Sequence, residues 1–187
     1  GSECAGDPDM NDGQGNCNIT RSRAATAAGQ WIAAQYPEQG VLLIGDLNSY
    51  AKEDPLMALA NAGFSELFAK LEKANPYSYV FSGESGQLDH ALANAALVDK
   101  VLDVTEWHIN TDEPRVLDYN EEFKTPAQVQ DLYASDAYRS SDHDPVVISL
   151  LLEAEKVAPE ASFTQLVNGA SVQLTSTSID SDGQIVS

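Results

Sequence analysis

The order of hydrophobic and polar positions divides most of the chain into short helices and strands. The Ala-rich stretch at residues 19–36 has apolar side chains at helical spacing, which predicts a helix. The run Val41-Leu-Leu-Ile44 is continuously apolar and ends at a glycine, which predicts a strand buried on both faces. The same reasoning predicts short helices at residues 54–63 and 65–74, a hairpin of strands at 77–81 and 88–93, and further strands at 101–109 and within 140–152.

The composition changes after residue 152. Residues 153–160 form a charged, Ala- and Pro-containing linker, and residues 161–187 alternate as antiparallel sandwich strands do. About thirty residues cannot bury a sandwich core alone. The segment resembles the start of an immunoglobulin-like repeat of the polycystic-kidney-disease (PKD) type, truncated after its first strands. We therefore expect three parts: a domain at 1–152, the linker, and a partial repeat.

The charge of the chain is strongly negative. It has 29 acidic and 10 basic residues, a net charge of −19, and 43% hydrophobic residues, enough for a core. Such a surface repels polyanions, so a nucleic-acid-binding role must be argued from a site. No apolar run is long enough to span a membrane and no signal-peptide pattern is present, while Gly1-Ser2 is either native or a cloning remnant.

Cys4 and Cys17 are the only cysteines, and they flank a polar loop. A close pair of this kind predicts a disulfide and an oxidising compartment, hence an extracellular or cell-surface protein. Closing such a loop stabilises the fold by about 3 kcal/mol in the chain-entropy model. Zinc is disfavoured, because two thiolates without a nearby histidine leave a tetrahedral site incomplete.

The loop between the cysteines is rich in oxygen-bearing side chains. Asp7, Asp9, Asn11 and Asp12 precede Gly13 in an order similar to that of calcium loops. The glycine comes one position late and no glutamate closes the loop. Two interpretations remain open, a Ca²⁺ site and a solvated turn held by Asx side chains.

Three acidic motifs accompany the predicted strands. Gly45-Asp-Leu-Asn48 follows the apolar run, and strand alternation puts Asp46 and Asn48 on the same side. The second motif is Leu88-Asp-His90, and the third is Ser141-Asp-His-Asp-Pro-Val146. Each motif alone could be structural: turn residues in the first and third, and a hairpin-edge aspartate with a core histidine in the second.

Together, these motifs resemble the C-terminal half of the endonuclease/exonuclease/phosphatase superfamily, whose members include DNase I-like and abasic-site nucleases. The similarity is greatest to secreted bacterial nucleases that carry adhesion-type repeats, and it covers about residues 1–152. The resemblance implies half of a four-layer α/β/β/α sandwich, an α/β (α+β) fold with a mostly antiparallel sheet. It also implies a metal-dependent phosphodiesterase.

The resemblance assigns roles by position. His143 would act at the scissile phosphate as general base or charge stabiliser, with Asp89 hydrogen-bonded to it. Asp46 would orient or deprotonate the attacking water, and Asn48 would hold a phosphate oxygen. Asp142 and Asp46 would bind the catalytic Mg²⁺ or Mn²⁺, since hard oxygen ligands suit those ions.

Three arginines are candidates for phosphate contacts. Arg139 lies just before the third motif, and Arg21 and Arg23 follow Cys17. For the latter two, a surface or helix-end role is the favoured interpretation.

The family's N-terminal half, with its metal-binding glutamate, has no counterpart in these motifs. We therefore expect the missing N-terminal half of the same domain as a partner, and little hydrolysis by this chain alone. The leading functional hypothesis is an extracellular DNase, with DNA favoured over RNA. The alternatives are a phosphatase or phospholipid phosphodiesterase of the same superfamily, and a calcium-stabilised surface or adhesion module with a relic site.

Overall fold

The computed structural model describes Cys4, residues 6–152 and residues 160–179. These residues fall into two units, one ending at Leu151 and the other starting at Leu152. Gly1-Ser2, nearly all of the predicted linker and the last eight residues of the predicted partial repeat lie outside the described residues. Among the residues that are described, no helix is both long enough and apolar enough to cross a membrane.

The first unit is a mixed α+β structure with small antiparallel sheets, as predicted at that level. Its helices are α1 (Asn18–Gln35), α2 (Asp54–Asn61), α3 (Leu67–Lys70) and α4 (Pro126–Asp131). Its strands are β1 (Leu42–Asp46), β2 (Phe64–Glu66), β3 (Tyr79–Phe81), β4 (Glu84–Gly86), β5 (Asp89–Asn94), β6 (Val101–Glu106) and β7 (Val146–Leu150).

The largest sheet has the strand order β1-β5-β2. Strand β5 is central, and Ala91, Leu92 and Ala93 are almost completely buried. The prediction that the apolar run of β1 is buried on both faces is wrong: β1 is an edge strand of this sheet, and Ile44 is 56% exposed. The central strand of the sheet is β5, because it pairs with both β1 and β2.

The predicted hairpin between residues 77–81 and 88–93 is also wrong. Strand β3 pairs instead with the short strand β4, while β5 leaves the hairpin and pairs with β1 and β2. Ser82 and Gly83 both have positive φ angles, +53° and +85°. Two consecutive positive φ angles allow a two-residue turn, and this turn brings the chain back earlier than the hydrophobic pattern suggests.

Side chains alternate along β5, so successive residues pack on opposite faces of the sheet, and both faces are covered. Leu92 packs on one face against Leu59 and Phe64, near α1 and α2. On the other face, Ala91 and Ala93 join a cluster that contains α3 residues and Val104 of β6. Burying a leucine side chain fully contributes about 1.5–3 kcal/mol to the stability of a fold. The buried residues of β5 therefore stabilise this unit.

Strands β6 and β7 form a separate antiparallel ribbon. The third acidic motif lies immediately before β7, so the ribbon positions it. Helix α4 begins at a capping box in which Thr125 and Gln128 exchange hydrogen bonds.

The second unit contains one antiparallel hairpin, β8 (Phe163–Asn168) and β9 (Ser171–Ser176), with a turn at Gly169. Both strands fall where alternation predicts them. Every side chain of the two strands is exposed, as expected for a segment too short to bury a core.

Candidate active site

The third motif contributes a histidine that is paired with an aspartate from β5. His143 Nδ1 and Asp89 Oδ2 are 2.6 Å apart. Because an ionised carboxylate can only accept, Nδ1 carries the hydrogen and donates it, which leaves Nε2 able to accept a proton. Asp89 is 9% exposed and His143 is half-buried. The contact that the resemblance implied is present in the structure.

Asp46 and Asn48 lie at the same end of the sheet as this pair. Asp46 is directly opposite Asp89 in the β1–β5 ladder. The backbone N–H of Asn48 donates to Asp46 Oδ1 at 2.6 Å. Gly45 has a φ of +119° and Asn48 a φ of +47°. At Gly45, glycine adopts this positive φ without the steric cost that a side chain would add. Both polar residues are exposed.

Asp142 precedes His143 and is half-buried. The backbone N–H of His143 donates to Ser141 Oγ at 3.0 Å, which holds the turn that carries both residues. No residue within the described part of the chain donates a hydrogen bond to the Asp142 carboxylate. The carboxylate is therefore available for other ligands.

Arg21 of α1 holds the loop that follows β1. Its Nη1 donates to the carbonyl oxygen of Asn48 at 3.0 Å and to Ser49 Oγ at 2.6 Å, and it pairs with Glu53. Its Nε donates to the carbonyl oxygen of Asn16 at 3.0 Å. The guanidinium is thus engaged internally, and its placement lends no support to the predicted phosphate contact.

Arg139 is also engaged inside the fold. It is 6% exposed, its Nη1 donates to the carbonyl oxygen of Asn110 at 2.7 Å, and its Nη2 is 3.5 Å from Asp118 Oδ2. Asn110 is buried, so its carbonyl oxygen needs a donor, which Arg139 supplies, and the same guanidinium lies near the half-buried carboxylate of Asp118. The phosphate role predicted for Arg139 is therefore not supported by its position, whereas Arg23 is exposed on α1.

His90 agrees with its interpretation as a core histidine. Its side chain is fully buried, and Nε2 is 2.8 Å from the carbonyl oxygen of Ser49. His90 and Arg21 therefore hold the same loop from two sides. That loop includes Asn48.

A second histidine–aspartate pair was not found by the sequence analysis. His108 Nδ1 is 2.8 Å from Asp144 Oδ2, and Asp144 Oδ1 accepts from the backbone N–H groups of Asn110 and Thr111, each at 3.0 Å. Burial alone raises the pKa of Asp144, but the hydrogen bonds from Thr111, His108 and Asn110 outweigh it, so the pKa lies below its usual value. Asp144 appeared in the sequence only as a member of the third motif, and no motif surrounds His108.

Each of the two histidines is stacked on a tyrosine. The ring centroids of Tyr77 and His108 are 4.0 Å apart at an interplanar angle of 6°, and those of Tyr79 and His143 are 4.5 Å apart at 29°. The predicted strand at 77–81 places Tyr77 and Tyr79 on one face by alternation. This was the only feature of the sequence that could have indicated two neighbouring aromatic stacks. Ser78, between them, is fully buried.

Glu106 is a buried carboxyl group beside the second pair. It is 9% exposed, and its Oε2 accepts from the backbone N–H of Tyr77 at 2.9 Å. Its Oε1 has no hydrogen-bond partner among the described residues. Burial raises the pKa of Glu106 to about 7, against a smaller lowering by the Tyr77 hydrogen bond.

This raised pKa predicts that Glu106→Gln stabilises the protein at alkaline pH. A folded-state pKa above the unfolded value of 4.5 means that the wild type loses stability as the pH rises from about 4.5 to about 7. The variant lacks that loss, so we expect it to be more stable than wild type by about 1–3 kcal/mol at pH 8 and nearly equal at pH 4. Urea unfolding at both pH values measures the difference, with exposed Glu38→Gln as the control. An equal difference at the two pH values would contradict the prediction.

The predicted calcium loop is hydrogen-bonded to the helix that follows it. The Asp7 carboxylate accepts from the backbone N–H groups of Ile19 and Thr20, at 3.2 and 2.8 Å. The Thr20 hydrogen bond is the main reason that the pKa of Asp7 is lowered, and it prevails over burial. Asp7 therefore caps the first turn of α1, and its carboxylate is already engaged.

The other oxygen-bearing side chains of this loop form local turns. Asp9 Oδ1 accepts from the backbone N–H of Asn11 at 2.8 Å, and Asp12 Oδ1 accepts from that of Gln14 at 3.1 Å. These contacts are the Asx turns of the second interpretation. Calcium binding by this loop stays a prediction.

The predicted disulfide is confirmed. Cys4 and Cys17 are bonded, with their Cα atoms 5.4 Å apart. Helix α1 begins at the next residue, so the disulfide fixes the start of the helix that carries Arg21.

The donor chemistry at the end of β1 and β5 fits a hard divalent cation. Asp46 and Asp89 are like charges directly opposite each other, an arrangement that destabilises a ladder unless a cation offsets it. Mg²⁺ is commonly held by one or two carboxylates, with waters and substrate phosphate oxygens in the remaining positions. Within the described ranges, no three His, Cys, Asp or Glu side chains cluster closely enough to hold a metal ion. Asp46 and Asp142 remain the predicted ligands.

Comparison with known proteins gives no family for the chain. No family model matches the sequence, and no curated protein is significantly similar to it.

Proposed function

We propose that the chain carries part of the active site of a secreted, divalent-metal-dependent phosphodiesterase that hydrolyses nucleic acid, most simply an extracellular DNase. The observation that carries the proposal is the Asp89–His143 hydrogen bond, in direct register with Asp46 across the β1–β5 ladder. Three separate sequence motifs thus meet at one end of a sheet. The disulfide is consistent with secretion.

Each residue of the candidate site would have its own role in the hydrolysis. His143 has Nδ1 engaged by Asp89, so Nε2 would hold or take a proton at the scissile phosphate. Asp46 has Oδ1 engaged by the N–H of Asn48, so Oδ2 would orient the attacking water. Asn48 would donate from its side-chain amide to a phosphate oxygen. A divalent cation bound by Asp46 and Asp142 would offset the negative charge on the phosphate.

The proposal includes the larger architecture that the resemblance implies. The β1-β5-β2 sheet with its helices would form one half of a four-layer α/β/β/α sandwich. The N-terminal half of the same domain would supply the other sheet and the remaining metal ligand.

A second candidate is a phosphatase or phospholipid phosphodiesterase with the same site. Two observations favour it. The net charge of −19 opposes binding of a long polyanion, and Arg21 and Arg139, two of the three arginines predicted to contact phosphate, are engaged inside the fold.

The test is cleavage by the full-length gene product. Plasmid DNA, RNA and bis(p-nitrophenyl) phosphate are assayed with Mg²⁺ or Mn²⁺, with EDTA, and after return of each metal. We expect DNA cleavage that EDTA abolishes and that Mg²⁺ or Mn²⁺ restores. Cleavage of the small diester but of neither nucleic acid favours the second candidate. Absence of metal-dependent cleavage of any of the three substrates overturns both.

Adding Ca²⁺ alone after EDTA separates the two predicted metal sites. If the loop between the cysteines binds Ca²⁺, the melting temperature rises while DNA cleavage stays absent. Recovery of full cleavage with Ca²⁺ alone would contradict the assignment of Mg²⁺ or Mn²⁺ to the catalytic site.

A further inference from the structure

The segment Tyr77-Ser-Tyr79 connects the elements that form the candidate site. Ser78 Oγ accepts from the backbone N–H groups of Leu88 and Asp89, at 3.1 and 2.9 Å. The carbonyl oxygen of Ser78 accepts from the backbone N–H of Asp144 at 2.9 Å. One buried residue therefore fixes the start of β5 relative to the third motif.

Tyr79 contacts the proposed catalytic histidine directly. Its ring stacks on the imidazole of His143, and the two residues also form an isolated antiparallel β-bridge. The imidazole is therefore held at one edge by Asp89 and on one face by Tyr79. With both restraints in place, the direction of Nε2 is determined by residues that do not themselves touch it.

We propose that Tyr79 is a positioning residue for His143, an inference that rests on the proposed function. Its ring would keep Nε2 directed at the phosphate and keep Nδ1 on Asp89.

The fold contains a matched control for this role. Tyr77 stacks on His108 two residues earlier, and His108 pairs with Asp144 as His143 pairs with Asp89. The two stacks have the same ring types and the same kind of carboxylate partner, and their tyrosines are two residues apart. Only the Tyr79 stack touches a residue assigned to the chemistry.

The first measurement is NMR on this chain, and it requires no hydrolysis. In Tyr79→Leu, we expect the carbon-bound imidazole protons of His143 to move downfield, because they lose the ring current of the tyrosine. We expect the Nδ1 proton shared with Asp89 to broaden by exchange, while the His108 signals stay unchanged. Tyr79→Phe should preserve the wild-type His143 signals, and Tyr77→Leu should shift His108 alone.

The second measurement is kinetic and uses the full-length protein. Tyr79→Leu should lower kcat about 2- to 12-fold with little change in KM, the range that aromatic stacking energies allow. Tyr79→Phe should restore most of the loss, and Tyr77→Leu should leave kcat unchanged. A loss of stability alone would affect both tyrosine variants and would not single out kcat.

The outcomes distinguish this inference from the proposed function. Unchanged His143 signals in a folded Tyr79→Leu variant overturn the positioning role, as does an unchanged kcat. Absence of metal-dependent cleavage by the wild type overturns the function itself. If Tyr79→Leu does not fold, nuclear Overhauser contacts between the Tyr79 and His143 rings in the wild type decide the point: their presence supports the stack, and their absence overturns it.

Discussion

Replacing His143 with alanine in the full-length protein is expected to lower kcat by about 10²–10⁴-fold, the range for loss of a positioned general acid or base. The proposed role depends on Nε2, which becomes the proton-accepting nitrogen because Nδ1 donates to Asp89. Removing the imidazole removes that acceptor without emptying a hydrophobic core site, since His143 is half-buried. We therefore expect the variant to fold, and circular dichroism and thermal unfolding would verify this.

The control for this experiment is His108→Ala. His108 has the same kind of carboxylate partner and the same kind of tyrosine stack, but no motif assigns it to the chemistry. Its kcat should remain within about threefold of wild type at a temperature where both proteins are folded. A double variant, Asp89→Asn with His143→Ala, should be no slower than His143→Ala, because Asp89 acts through the imidazole. Wild-type activity in His143→Ala would remove the basis of the phosphodiesterase proposal.

Asp144→Asn is expected to destabilise the fold by about 2–4 kcal/mol at pH 7. The carboxylate is 2% exposed and accepts from two backbone N–H groups, the Thr111 hydroxyl and His108. An asparagine of the same shape directs an NH₂ group at some of these donors and leaves them without an acceptor, which costs about 1–3 kcal/mol for each buried group.

The pH dependence provides a check on this interpretation. The pKa of Asp144 is lowered below 3.8, so its stabilising contribution is complete above that pH and is lost as the pH falls through the folded-state pKa. Urea unfolding should therefore give a large difference between wild type and variant at pH 7 and a smaller one at pH 3. Exposed Asp131→Asn, at the end of α4, should stay within about 0.5 kcal/mol of wild type. A constant difference across this range would contradict the assignment.

The site residues taken from the motifs differ from His108 in their sequence surroundings. Asp46, Asp89 and His143 each belong to one of the three acidic motifs. His108 falls within the predicted strand at 101–109, but no motif surrounds it. Its partner, Asp144, is 36 residues away, and only the pairing of β6 with β7 brings the two together.

The arginines show again that the sequence does not predict contacts between distant segments. An arginine just before an acidic motif is a reasonable phosphate ligand on sequence grounds. Arg139, however, lies in the segment between β6 and β7, where the carbonyl oxygen of buried Asn110 needs a donor, and Arg139 supplies it. Whether a charged side chain faces solvent or the interior depends on what packs over it, and that information is not local.

The sequence alone determined the local structure: α1 in the Ala-rich stretch after Cys17, a strand at the apolar run of β1, the disulfide itself, and the identity of the three motifs. These follow from periodicity and spacing over a few residues, where the backbone geometry is dictated by nearest neighbours. The tertiary structure decided which strand is central, where the chain turns back after Phe81, and which tyrosine supports which histidine. Those choices depend on contacts between distant segments, because a strand can pair with any complementary edge and its partner is selected only when the two faces of β5 are buried.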